Sequence, residues 1–445
     1  MQKINLLNIF KGVFIYGLVA VLAKSFQFFA VIYLEYELLE VDFVDYGLKY
    51  ALQSGVAVFT VFGVNEGMIS RYVKVTYKNL LLNNSMKIVL IGQLVFFLFL
   101  IFYFGFYRFS DYIFPTINGL ILGNLLMTSC IYKLSEKHSK ARFYLYVPQI
   151  LFHVLILACV YLSLNIDPFL ISTFGLMIFL FLFNSKNMLT QIQSKLDIKT
   201  FFELVYESAS YYSMAIIGWL SGYGFSWVIK YLYNDTDVAQ YIYIYTFSGV
   251  ILLFTNSIFN VWNPYYLNSN QNISIKTQDL VYDLVSIGIT LISILTALFL
   301  YFLKNDFEHQ LINLAILLSS FILYVPIWRA RLYFQKLKKG WVLMRLTFIS
   351  SITSYILFLS VQDSLGPISV YLFFVFNAIT LCLFTVREFS KTDYYQIKYR
   401  NQYLLAITTI VFIYLLRINI IFTIFGIIVL LLLSYYKIKK LRRLW

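Results

Sequence analysis

Apolar residues run through this chain in fourteen blocks with short polar gaps of mostly ~5–20 residues between them. A helix that spans a bilayer needs ~20 mostly apolar residues. The blocks are Gly12–Leu34, Gly47–Glu66, Met86–Phe106, Tyr112–Tyr132, Phe143–Ser163, Pro168–Asn184, Phe202–Trp227 and Ala239–Trp262, followed by Leu284–Leu303, Leu311–Trp328, Trp341–Val361, Pro367–Val386, Tyr403–Leu416 and Ile420–Tyr436. They predict an all-α polytopic membrane protein with about fourteen transmembrane helices. The thirteenth block is short, so the last two also fit a re-entrant pair. Soluble domains have no room in the gaps.

Composition agrees with the pattern. Charged residues make up 13% of the 445, about half the fraction usual in soluble domains. A net charge of +14 would suggest nucleic acid if the positives formed a surface, but they alternate with the spans instead. With the N-terminus placed inside, about 28 of the 35 Lys and Arg fall in cytoplasmic segments. Arg71 and the tail residues Lys437, Lys439, Lys440, Arg442 and Arg443 are among them. The external loops are acidic, with Glu35, Glu37, Glu40, Asp42 and Asp45 in the first and Asp235 and Asp237 in a later one. This predicts an even number of helices with both termini cytoplasmic. The N-terminus runs into its apolar block without a small-residue cleavage site and reads as a retained first helix. Cys130, Cys159 and Cys382 lie inside apolar blocks without paired spacing, so no disulfide or metal framework is expected.

A faint internal repeat organises the blocks. Asp42, Tyr46, Tyr50, Phe59 and Asn65 match Asp237, Tyr241, Tyr245, Phe254 and Asn260 at one fixed offset. Parallel repeats imply two lobes related by a pseudo-twofold axis along the membrane normal. The expected division is an N-terminal lobe over 1–200 (helices one to six) and a C-terminal lobe over 201–390 (seven to twelve). Residues 391–445 supply two extra helices and a basic tail. Gly119–Gly123 and Gly218–Gly222 are small-xxx-small pairs and predict close helix contacts.

Enzyme signatures are scarce. There is no His-Glu-x-x-His, no phosphate-binding Gly-rich Lys loop and no Gly-x-Ser-x-Gly elbow. No catalytic residue, metal ligand or cofactor is assigned, and His153 in the fifth block reads as a satisfied packing histidine. The sharper signal is embedded charge, because an ionisable group deep in a bilayer is costly and faces a cavity or a partner. Lys24 lies about 18 Å along the first span at 1.5 Å per residue, near the midplane. Lys49 sits near the external end of the second span, within snorkelling distance. Arg345 and Glu207 lie about a turn into the eleventh and seventh spans from the inside. Asn256, Asn260 and Asn263 share a face of the eighth, where interhelical bonding and cavity lining both fit. Lys24, Lys49 and Arg345 together suggest a cationic cavity between two lobes. Phosphate binds Arg and Lys through charge-assisted hydrogen bonds, so a lipid-linked diphosphate suits it.

The run Lys11-Gly12-Val13-Phe14-Ile15-Tyr16-Gly17, the loop end Asp45-Tyr46-Gly47 and the stretch Phe62-Gly63-Val64-Asn65-Glu66-Gly67 through Arg71 resemble the Wzx-type oligosaccharide-lipid flippases of polysaccharide biosynthesis, within the multidrug/oligosaccharidyl-lipid/polysaccharide (MATE-like) exporter superfamily. Val261-Trp262-Asn263-Pro264 is similar to the same pattern. Many relatives carry an Asp-Arg pair late in helix seven, whereas this chain reads Ser221-Gly222-Tyr223-Gly224-Phe225-Ser226. The resemblance implies a flippase of the inner (cytoplasmic) membrane moving an undecaprenyl-diphosphate-linked repeat unit of O-antigen, capsule or exopolysaccharide to the outer leaflet. Its partners would be the bilayer, that substrate, and the polymerase and chain-length machinery. A cation-coupled multidrug exporter is the alternative, for which Glu207 is the acidic candidate. A polysaccharide polymerase would want a larger, Arg-rich external loop.

Overall fold

In the computed structural model of the chain, residues 6–72, 78–135, 137–195, 197–268, 274–303, 307–337, 339–389 and 400–442 are described. They hold seventeen α-helices and no strand. The helices are α1 Leu6–Glu37, α2 Glu40–Thr60, α3 Val64–Tyr72, α4 Lys78–Phe109, α5 Ile113–Leu134, α6 His138–Tyr161, α7 Pro168–Gln193, α8 Ile198–Leu220 and α9 Phe225–Leu232, then α10 Asp235–Asn268, α11 Ile275–Leu303, α12 Leu311–Leu323, α13 Val325–Lys336, α14 Gly340–Leu365, α15 Ile368–Phe389, α16 Arg400–Leu416 and α17 Ile420–Arg442. Every apolar block of the sequence is helical. Three blocks are each broken into two helices, so the seventeen helices account for the fourteen blocks. Eleven described helices are long and apolar enough to cross a membrane, and Asn401–Leu416 is a shorter apolar one. The chain is a multi-pass, all-α membrane protein.

Each break has a local cause. Between α2 and α3 the backbone turns left-handed at Phe62 (φ 53°) and Gly63 (φ 64°). Only glycine takes that conformation cheaply. Between α8 and α9 the turn contains Gly222 and Gly224. At α12–α13 the break falls at Tyr324, just before Pro326, which is tolerated in a first helical turn but disrupts an interior. Loops are tied down as well. Asp197 caps α8 through the Thr200 amide and hydroxyl. Hydrogen bonds from the Thr200 hydroxyl hold its carboxyl below the usual carboxylate range. Asn84 and Lys87 of α4 hold the backbone of the same loop at Asp197 and Ser194.

The repeat extends to the helix starts: α2 begins at Glu40 and α10 at Asp235, 195 residues apart, the same offset as the matched residues (237 − 42). Both first turns are acidic, which suits the positive end of a helix dipole.

Contacts group the chain into two compact units, Leu18–Thr246 and Met1–Gly17 with Phe247–Trp445. In the first, α5 packs on α2, α6 and α7, and α8 packs on α2, α3 and α4. Polar side chains there bond across helices. Asn124 Nδ2 donates to Gln93 Oε1 at 2.6 Å, Asn118 Nδ2 to Ser172 Oγ at 3.0 Å, and Asn184 Nδ2 to Thr128 Oγ1 at 3.0 Å. In the second unit α14 packs on α15, α12 on α15 and α16, and α11 on α16 and α17. There the Ser350 hydroxyl meets the Thr380 hydroxyl at 2.7 Å. Large apolar side chains such as Phe102, Phe181, Leu432 and Tyr435 point outward. Polar groups paired inside and apolar groups outside is what a hydrocarbon surround favours. The three cysteines are buried core residues.

The predicted glycine contacts divide. A Cβ on Gly119 would stand 2.6 Å from the Gln53 carbonyl of α2, and one on Gly123 2.7 Å from the Thr60 hydroxyl. Gly222 lies against the Tyr245 hydroxyl, but nothing lies within 4 Å of a Cβ on Gly218. Sequence spacing cannot tell an open face from a packed one. The tightest backbone approach involves Gly63, whose Cβ would stand 2.5 Å from the Tyr212 nitrogen and 2.7 Å from the Ser208 carbonyl. Gly63→Ala should therefore cost about 2 kcal/mol or more, from strain and overpacking together. Gly218→Ala should stay within about 0.5 kcal/mol. Thermal unfolding of the detergent-purified protein checks the pair; equal stability of the two variants contradicts the packing described.

Candidate functional site

The most elaborate polar cluster in the Leu18–Thr246 unit forms where α1, α2, α6, the α8–α9 turn and the start of α10 converge. Lys24 and Gln27 lie three residues apart on α1 and so on one face. Gln27 is buried, 2% exposed, and its amide is fully engaged. Its Oε1 accepts from Lys24 Nζ at 2.5 Å. Its Nε2 donates to the Tyr50 hydroxyl and to the Tyr223 hydroxyl, each at 3.1 Å. An amide has two donor hydrogens, so both are used here.

Aromatic rings frame this amide. Tyr46 and Tyr50, one turn apart on α2, stack with centroids 6.2 Å apart. Tyr241 and Tyr245 stack at 5.5 Å on α10. Tyr223 stands edge-on between the two pairs, 5.3 Å from Tyr50 and 4.9 Å from Tyr245, each at 84°. Edge-to-face contacts of this kind are the favoured aromatic geometry. The two helix starts related by the 195-residue offset thus present matching tyrosines to one ring. Close approach is required: a Cβ on Gly47 would collide with Ile242. His153 of α6 completes the cluster, its ring 5.8 Å from that of Tyr50. It is 3% exposed and its Nδ1 has no hydrogen-bond partner among the described residues. The expectation of a satisfied packing histidine is therefore corrected: Tyr50 lies tilted against the ring and Phe152 edge-on to it, and neither offers that nitrogen a hydrogen-bond partner. Lys24, Tyr50 and Tyr223 keep partial exposure while Gln27 is sealed behind them. The cluster offers one cation and phenol hydroxyls at a partly open surface.

The other predicted residues stand elsewhere. Lys49 is on α2, one residue from Tyr50, and forms an ion pair at 2.7 Å with Asp45 one turn earlier. Glu207 is half-buried in α8. Arg345, on α14 in the second unit, is largely exposed and reaches Glu388 of α15 at 3.4 Å. Asn256 is exposed on α10. The side chains of Asn260, Asn263 and Arg71 lie outside the described residues. Of the three predicted cations, Lys24 is therefore the one without a carboxylate partner among the described residues. Sequence reasoning missed Gln27, Tyr223 and the role of Tyr50. The Lys24–Gln27 spacing, two polar groups on one face of an apolar run, was the available signal for the first.

No family model matches the chain, and no curated protein matches it either. Among solved structures it is similar to the crystal structure of a point mutant of the Vibrio cholerae MATE transporter VcmN, with 14% identity and a TM-score of 0.51 over 87% of this chain and 98% of that one. The class is thus set by architecture: a polytopic helical membrane protein with the fold of a MATE transporter.

Gln27→Leu would leave the Tyr50 and Tyr223 hydroxyls and the Lys24 ammonium short of a partner. It should lower stability by about 1–3 kcal/mol, and Tyr50→Phe by less, since that change removes a group instead of orphaning one. Unfolding midpoints of the purified variants measure this; if Gln27→Leu unfolds at the wild-type temperature, the network is ornamental.

Proposed function

We propose that this protein is a flippase that carries an undecaprenyl-diphosphate-linked oligosaccharide repeat unit, an O-antigen, capsule or exopolysaccharide precursor, from the cytoplasmic to the outer leaflet by alternating access. The observation that carries the reading is Lys24: a cation without a carboxylate partner among the described residues, oriented by Gln27 and bordered by tyrosine hydroxyls. Such a group holds a diphosphate by charge-assisted hydrogen bonds, and phenol rings and hydroxyls suit the sugars next to it. The lobe division over 1–200, 201–390 and 391–445 belongs to the same proposal. So do the cytoplasmic termini, which rest on the alternation of basic and acidic loops, and the inner-membrane location, which rests on the resemblance. Transport, not catalysis, is the activity proposed, with the lipid-linked sugar as substrate and the polymerase and chain-length machinery as partners. Outward movement of an anion is downhill in an inside-negative potential by ~2.3 kcal/mol per charge per 100 mV, so the reading does not require an ion gradient.

A second reading is a cation-coupled multidrug exporter, favoured by the likeness to a MATE transporter. It assigns the key charge to Glu207 instead of Lys24.

Deletion of the gene should trap lipid-linked repeat units on the cytoplasmic leaflet, detected with a membrane-impermeant sugar-labelling reagent on intact cells and inverted vesicles. Restoring Lys24→Ala should leave protein in the membrane and export abolished. Normal surface polysaccharide from Lys24→Ala would overturn the mechanism. Loss of drug efflux in Glu207→Gln, with repeat units reaching the outer leaflet unchanged, would select the second reading.

A further inference from the structure

The second unit contains a polar cavity of about 220 Å³ lined by α11, α13, α16 and α17. It is smaller than the ~300–1,000 Å³ usual for drug-sized ligands, so it suits a compact group. Its two carboxylates are already engaged. Asp279 accepts from Arg329 Nη1 at 2.5 Å. Asp283 accepts from Lys437 Nζ at 2.5 Å, with the Asn401 and Gln402 amides 3.4 to 3.5 Å away. Against those two carboxylates stand four cations: Arg329, Lys437, Lys276 and Lys440. The lining therefore carries a formal charge of 4 − 2 = +2, with Lys276 and Lys440 as the exposed excess.

Arg329 carries the inference. It is 6% exposed, its guanidinium lies 5.6 Å from the Tyr282 ring centroid, and its Nη2 is buried with no hydrogen-bond partner among the described residues. An unpartnered buried donor on a charged group is expensive, and a guanidinium bonded to one carboxylate through a single arm still adds positive charge to the lining, which favours an anion there. A basic pocket at the ends of transmembrane helices is also the usual setting for an anionic headgroup.

We propose that this cavity is a phosphate-binding site, in which Lys276 and Lys440, with Arg329 in the same lining, hold the phosphate of an anionic lipid or of a soluble ion. Its occupant bridges α17 to α11 and α13, so the two C-terminal helices act as a clamp on the helices that carry the site. The proposal is independent of the Lys24 site and of the transported substrate.

The test uses the purified full-length chain and reads its apparent unfolding temperature. Inorganic phosphate is titrated against chloride at constant ionic strength. In parallel the protein is reconstituted in phosphatidylglycerol or in phosphatidylcholine vesicles. Binding to the folded state raises the midpoint by mass action. A rise with inorganic phosphate assigns a soluble ion; a rise in phosphatidylglycerol over phosphatidylcholine without one in phosphate assigns a lipid headgroup. K276Q/K440Q leaves both ion pairs intact and should weaken the effect at least about tenfold, equivalent to 1.4 kcal/mol. No rise with either probe, or a rise undiminished in K276Q/K440Q, overturns the site. Because no sugar-lipid is involved, failure here leaves the transport reading standing.

Discussion

The amide of Gln27 is bonded on all sides to groups from other turns and other helices. In water such bonds exchange with solvent and contribute little net. On the face of an apolar helix the alternative is an unpartnered amide, which costs several times more than the bond itself contributes. The positions of α1, α2 and the α8–α9 turn are therefore coupled through this one amide. Tyr223 can reach Gln27 because α8 stops at a glycine-containing turn, and α8 in turn sits close to the α2–α3 break because Gly63 lacks a side chain. The breaks in the helices and the polar cluster belong to one arrangement.

Charge at this cluster is set by what stands nearby. Lys24 and Lys49 are both lysines near tyrosines, yet one has an amide as its partner and the other a carboxylate one turn away. A neutral partner leaves the first without a counter-charge among the described residues. Pairing discharges the second toward a local salt bridge, which is worth little in stability and leaves little to offer an anion. The same distinction orders the second unit, where Asp279 and Asp283 each take a cation and two exposed lysines remain in excess. In the first unit the cation of the transport proposal is the one without a carboxylate partner among the described residues.

How the helices avoid lipid exposure of their polar groups follows from the same economy of partners. Gln93 with Asn124, Asn118 with Ser172, and Ser350 with Thr380 are side-chain pairs inside otherwise apolar packing. Each joins two helices and thereby specifies which faces meet. The residues outside them, from Phe102 on α4 to Leu432 on α17, have no such demand and turn outward.

Hydropathy alone located every helical block, because a bilayer allows few backbone solutions and the apolar stretches must match its thickness. The period of acidic helix starts was also legible: α2 and α10 begin 195 residues apart, as the matched Asp and Tyr residues require. Lys24 stood out for the same reason, being a charge where charge is costly. What the linear chain left undetermined is partnership. Lys24 and Lys49 each have a partner within one helical turn, Gln27 for one and Asp45 for the other, but only packing brings the Tyr50 and Tyr223 hydroxyls to that Gln27. Nothing marks Tyr223, in a stretch notable only for lacking an Asp-Arg pair, until a turn sets it between Tyr50 and Tyr245. Nothing in the sequence sets Arg329 apart from the other Lys and Arg residues, and only the packing of α11, α13, α16 and α17 buries it with one arm unpartnered among the described residues. Periodicity and cost in lipid are local properties and can be read along the chain; hydrogen-bond partners come from segments far apart in sequence and exist only once the helices have packed.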